Sequence, residues 1–134
     1  MKHLFLVFVS TFAMAAVATP ASKEIKGTVT VAKSAQKKIS ANGVLFIFAK
    51  KAGHKAGDGG MPMAVVRMPS PHFPLHFELG PQNNMMSPGT PFKGKMTVFA
   101  RFSPSGDAMD QSGPNGATKH PVKAGAHNVH IVLK

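Results

Sequence analysis

Sulfur and imidazole are the side-chain chemistries this sequence offers most freely. Seven methionines (61, 63, 68, 85, 86, 96 and 109) and six histidines (54, 72, 76, 120, 127 and 130) follow residue 18, and the chain has no Cys, Tyr or Trp. Thioether and imidazole groups suit copper, Cu(I) above all. Alternate residues of an extended strand share a face, so Met61 would project beside Met63, and His72 on the same side as His76. Those four are the candidate metal ligands, with copper as the alternative to a chain that carries no cofactor. Two plainer readings stand beside this one. Methionine fills irregular gaps in cores and loops, and histidines on a solvated polar face need no ligand. A blue-copper site would also use a Cys thiolate, and no His-x-Met pair occurs. His127 and His130, three residues apart, would point to opposite sides of a strand.

Catalytic constellations are harder to assemble. The sequence contains no Gly-x-Ser-x-Gly and no His-Glu-x-x-His. Its five acids, Glu24, Asp58, Glu78, Asp107 and Asp110, are widely separated, whereas paired-carboxylate chemistry needs two in one cleft. A binding role is expected instead of an enzyme. The candidate partner-binding residues are Met61, Pro62, Met63 and Arg67, together with Met85 and Met86 in the segment Asn-Asn-Met-Met-Ser-Pro-Gly. Both stretches lie in or beside loops, and methionine-rich surfaces adapt to varied partners. For Arg67 a solvated strand end is the competing reading, and Arg101 reads as an outward strand residue.

The elements that must position these residues are strands. Period-two alternation recurs after the first eighteen residues, and no helical stripe does. Ile25, Gly27, Val29 and Val31 alternate with Lys26, Thr28 and Thr30. Residues 44–49 (VLFIFA) form an unbroken apolar run opened by Asn-Gly, which predicts a central strand buried on both faces. Residues 64–68 make a third strand. Phe73, Leu75, Phe77 and Leu79 then face one way, with His72, Pro74, His76 and Glu78 facing the other. Pro74 cannot donate to a ladder, so this strand is an edge or begins at Leu75. Residues 95–102 and 128–133 supply two more. Segments 53–60, 80–94 and 103–125 are rich in turn residues. Within the last, 105–119 holds either a further edge strand or a mobile loop. About six to eight short strands so connected predict an all-β antiparallel sandwich.

The start of the chain sets the expected compartment. Lys2 and His3 precede a largely apolar stretch over 4–17 that ends in Ala-Val-Ala, the layout of a secretory signal peptide. Residues 1–18 are expected to be removed, with cleavage as late as 21 as the alternative, leaving 19–134 as a single periplasmic or secreted domain. Sixteen Lys plus Arg against five acids give +11 for the whole chain, and +10 once Lys2 is lost. Such a charge favours anionic partners, an anionic membrane surface among them. Nucleic-acid binding would want exposed aromatics among the bases and is not expected. Without disulfides, stability must come from a packed core.

The order of the segments resembles a known family. GTVTVA (27–32), LFIFAK (45–50), a glycine-rich loop, MPMAVVRMP (61–69), FPLHFEL (73–79), MMSPG (85–89), VFARFSPSGDA (98–108) and a closing Pro-Val-Lys-Ala-Gly occur in series. This is similar to the C-terminal immunoglobulin-like domain of the CycH-type cytochrome c biogenesis protein. The resemblance covers nearly all of the chain after the signal and implies a periplasmic immunoglobulin-like β-sandwich. In the full-length relatives that domain accompanies a membrane anchor and helical repeats that hold apocytochrome c for haem ligation. This sequence has no stretch for those repeats, and Asp-Gln-Ser-Gly (110–113) stands where the family carries an acidic Gly-Asp-Leu. The resemblance therefore implies an accessory binding module of cytochrome c maturation, directed at an apoprotein segment or an assembly subunit. A copper-handling protein and a basic envelope protein that adheres to anionic surfaces are the alternatives.

Overall fold

A computed structural model describes residues 23–55, 61–83 and 92–134. The expected signal peptide, Met85 and Met86 lie outside these residues. The described residues form eight strands: β1 (Ile25–Val31), β2 (Val44–Lys51), β3 (Ala64–Pro69), β4 (Leu75–Leu79), β5 (Lys95–Ser103), β6 (Asn115–Ala117), β7 (Val122–Lys123) and β8 (Val129–Leu133). They form two sheets. The smaller has the order β4-β1-β8. The larger runs β3-β2-β5-β6, with β7 also paired to β5. Helical structure among the described residues is limited to two short 3-10 segments, Lys33–Lys38 and Pro81–Asn83.

Alternation explains how the sheets stack. Ile25 and Val29 of β1, Phe77 and Leu79 of β4, and Val129, Ile131 and Leu133 of β8 point inward from the smaller sheet. They meet Leu45, Ile47 and Ala49 of β2, and Met96, Val98, Ala100 and Phe102 of β5. Each fully buried side chain of this size contributes about 1.5–3 kcal/mol relative to exposure. That shared interior takes the place of a disulfide. Gly27 is required at the centre of β1, because a Cβ there would run into the Val129 carbonyl and the Phe77 ring. Residue 74 stays out of the ladder as expected. β4 starts at Leu75, immediately after Pro74, and is an edge strand.

Three features go beyond the simplest reading of the sequence. The pairing of β1 with β8 is parallel, with Gly27 opposite Val129 and Val31 opposite Leu133, whereas the other described pairings are antiparallel. Parallel neighbours need a long connection between them. Here every intervening strand serves as that connection. The segment 105–119 resolves in favour of an edge strand: β6 pairs with β5, and Asn115 exchanges two backbone hydrogen bonds with Lys134, tying the larger sheet to the end of the smaller. Finally, β2 is buried on both faces as expected, although among the described residues no third layer of secondary structure lies upon its outward side.

Candidate functional site

The stretch from Met61 to Arg67 does not act as one surface. Met61 is 64% exposed, whereas Met63 is half-buried and packs against the interior, its backbone N–H donating to the Ala49 carbonyl at 2.7 Å. The irregular backbone ahead of β3 breaks the strand alternation that would have put the two thioethers side by side. Pro62 between them is half-buried. Arg67 is exposed on β3, directly opposite Phe46 of β2. The candidate surface thus separates into an exposed Met61, an inward Met63 and an Arg67 that belongs to the outer face of the larger sheet.

The candidate metal ligands are dispersed in the same way. His72 precedes β4 and borders a cleft of about 520 Å³ with Thr30, Gln36, Ile39 and Phe73. His76 lies on the outer face of the smaller sheet, where Thr28 Oγ1 is 3.1 Å from its Nδ1. Thr28 is also level with His130 on its other side, and Thr30 Oγ1 sits 2.9 Å from His130 Nε2. With Met63 turned to the core, the expected set of Met61, Met63, His72 and His76 does not converge. No group of three or more His, Asp or Glu side chains among the described residues is placed to hold a metal ion.

The arrangement that does converge lies on the outer face of the larger sheet. Val44, Phe46 and Phe48 of β2, Phe99 of β5 and Val65 of β3 form a second apolar cluster there, separate from the interior. Phe48 and Phe99 are direct cross-strand neighbours, with ring centroids 5.3 Å apart and planes 22° from parallel. One row along, Phe46 stands between two arginines: Arg67 opposite it on β3 and Arg101 opposite it on β5. The Arg101 guanidinium also lies over the Phe48 ring, 5.6 Å from its centroid. A cation at that distance is attracted by the ring quadrupole, by about 0.5–1 kcal/mol at exposed sites. Beside the stacked rings is a recess of about 240 Å³, bordered by Phe48, Phe99, Arg101, Gln111 and Asn115.

Among the described residues, the charged side chains on the strands of this face are all basic. Lys95 and Lys123 are directly opposite each other on β5 and β7, a like-charge pairing that costs stability. Lys50, on the same side of β2, is only 4% exposed, and its ammonium donates to the Lys55 carbonyl at 3.2 Å. Two acids come near, in the loop 104–112 at one end of the face. They serve the loop itself. Asp110 accepts hydrogen bonds from the Ser112 and Ser105 hydroxyls at 2.6 and 2.7 Å, which hold its carboxyl well below the usual carboxylate range. The Asp107 carboxylate accepts from the Met109 N–H at 2.9 Å. Arg101 is anchored to the same loop, donating from Nη1 to the Ala108 carbonyl at 3.2 Å.

The sequence announced the apolar character of residues 44–49 but not this site. Phe46, Phe48, Phe99 and Arg101 become a set only through the register of three strands, which one sequence does not display. No helix among the described residues is long and apolar enough to cross a membrane.

Among curated proteins, none matches the sequence. Among solved structures, an alternative pilotin from the type II secretion system of Vibrio cholerae is similar at 14% identity, over 83% of this chain and 96% of that one, with a TM-score of 0.49. The family model described as the cytochrome c-type biogenesis protein H Ig-like domain matches residues 25–134, from the first residue of β1 to the last residue of the chain. The immunoglobulin-like β-sandwich seen here is that domain, and the chain belongs to the cytochrome c-type biogenesis protein H Ig-like family.

Proposed function

We propose that this protein is a non-catalytic accessory module of cytochrome c biogenesis in the cell envelope, and that it works by holding a protein partner, either an apocytochrome segment or a subunit of the assembly machinery. Family membership supplies the pathway. The observation that carries the binding role is the second apolar cluster, Val44, Phe46, Phe48 and Phe99, on the outward side of a sheet whose inward side already builds the interior. A sandwich needs one apolar face per sheet. Apolar residues beyond that need mark interaction surfaces.

The test is made in the organism that encodes the protein. Deleting the gene is expected to lower haem-stained c-type cytochromes, and the purified full chain is expected to retain an apocytochrome or an assembly subunit from envelope extract. Normal cytochrome levels in the deletion strain, with nothing retained by the chain, would refute the proposal.

A further inference from the structure

Three observations on the larger sheet point to the chemistry of the partner, taking the binding role proposed above as given. First, Arg67 and Arg101 stand on either side of Phe46, one strand away in each direction. Neighbouring strands are about 4.8 Å apart, so the two Cα atoms are roughly 10 Å apart. Second, neither arginine has a carboxylate partner among the described residues. The one ion pair there, Lys26 with Glu78 at 3.5 Å, is on the other sheet. The acids of the nearby loop are bound to its own serines and backbone. Third, the rings between and beside the arginines are recessed. Phe46, Phe48 and Phe99 are 9%, 8% and 9% exposed, so they form a floor and not a set of projecting wedges.

We infer that this face takes an acidic segment of the partner protein, with carboxylates on Arg67 and Arg101 and an apolar side chain in the recess beside Phe48 and Phe99. Guanidinium forks pair with carboxylates in bidentate fashion, which gives geometric specificity as well as energy. Lys95 and Lys123, paired across β5 and β7, extend the positive field along the same sheet, and such a field speeds the approach of an anion. A membrane surface fits less well. Lipid insertion calls for protruding apolar groups, and the large apolar side chains exposed among the described residues are Met61 and Met109, not the phenylalanines.

The test uses the purified full chain and a labelled peptide carrying Glu-Leu-Leu-Glu between Gly-Ser flanks, with a Gln-Leu-Leu-Gln counterpart and anionic phosphatidylglycerol vesicles as the other two arms. Fluorescence anisotropy at low ionic strength is expected to show binding of the acidic peptide and not of its neutral counterpart. Loss of a charge-assisted pair should weaken binding roughly tenfold in R67Q/R101Q. Arg101 also holds a loop, so R67Q alone is the control for folding. Arg67 is exposed and has no ion-pair partner among the described residues, and this single change should still cost a few-fold. Substituting Lys37 and Lys38 on the 3-10 segment by Gln should leave binding unchanged. Equal binding of the neutral peptide, or an undiminished R67Q/R101Q, would overturn the assignment. So would vesicle binding that competes with the peptide and is lost in the same variant, which would make the face a lipid site. Retention of the envelope partner by both the native chain and R67Q/R101Q would sink this inference alone and leave the proposed function standing.

Discussion

The two sheets have unlike outer faces. On the smaller one, outward positions hold Lys26, Thr28, Thr30, His76, Glu78 and His130, joined by Thr–His contacts and a Lys–Glu pair. Apart from Val132, the outward positions are polar, and the sheet offers its apolar side to the interior. On the larger one, Val44, Phe46, Phe48 and Phe99 repeat on the outside what Leu45, Ile47, Val98 and Phe102 do within. A fold that required only two stacked sheets would be served by two copies of the first arrangement. The second face thus carries apolar area beyond what stacking two sheets needs, which is the ground of the proposed binding role. Arg67 lies on the edge strand β3, where a charged side chain disfavours edge-to-edge pairing.

Substitutions can break or sharpen this contrast. The largest effect is expected at Phe102, fully buried between the sheets. Phe102→Ala should lose about 3–5 kcal/mol, and in a domain of this size that lowers the melting midpoint by on the order of 15 °C. Phe99, one turn of the pleat away but facing outward, should cost less. A gap opened at Phe99→Ala is reached by solvent instead of being sealed, so about 1–2 kcal/mol is expected, together with loss of partner retention. Denaturant titration of both variants decides the matter; equal losses would make the outer cluster a second core and nothing more. Thr28→Val, on the polar face, should stay within about 0.5 kcal/mol of the native chain. A clear destabilisation there would mean that the Thr–His contacts support the sheet.

The smallest effect concerns the loop that closes one end of the aromatic face. The Asp110 carboxyl is depressed in the folded chain by hydrogen bonds from Ser112 and Ser105. A depressed carboxylate contributes stability above its unfolded pKa and loses that contribution as pH falls through the folded value. The protection factor of the Ser112 amide, its exchange rate taken against the intrinsic rate at each pH, should therefore hold as pH falls through the ordinary carboxylate range and drop only in stronger acid. In Asp110→Asn the protection factor there should be lower and independent of pH over the same range, with little change in global melting. Early exposure of Ser112 near pH 4 in the native chain would contradict the loop geometry.

Much of this fold was legible in the residues. The run VLFIFA announced a strand without a wet side, and the Phe-Leu-Phe-Leu alternation over 73–79 placed β4, with Pro74 marking its start. The family followed from the order of short segments. The site was far less legible. Phe46 gains its two arginines from separate strands, and nothing local fixes which residues come level. β6 and β7 are too short and too plain in composition, Asn-Gly-Ala and Val-Lys, to show alternation. Met61 and Met63 looked equivalent because a period-two argument assumes regular backbone, and the chain ahead of β3 is not regular. The parallel partner of β1 was hidden for a related reason. Alternation tells a strand which side is inward and leaves open who its neighbour is.

That neighbour has a bearing on how the molecule is made. Thr30 and His130 touch across a gap of one hundred residues, and Lys134 is bonded to Asn115 at the far end of the same seam. A chain delivered from its first residue onward holds β1 early and must wait for β8. Until the last segment arrives, β1 lacks one flank and its share of the interior stays wet. Closure of the smaller sheet thus waits on β8: the sandwich closes like a clasp whose two halves are β1 and β8.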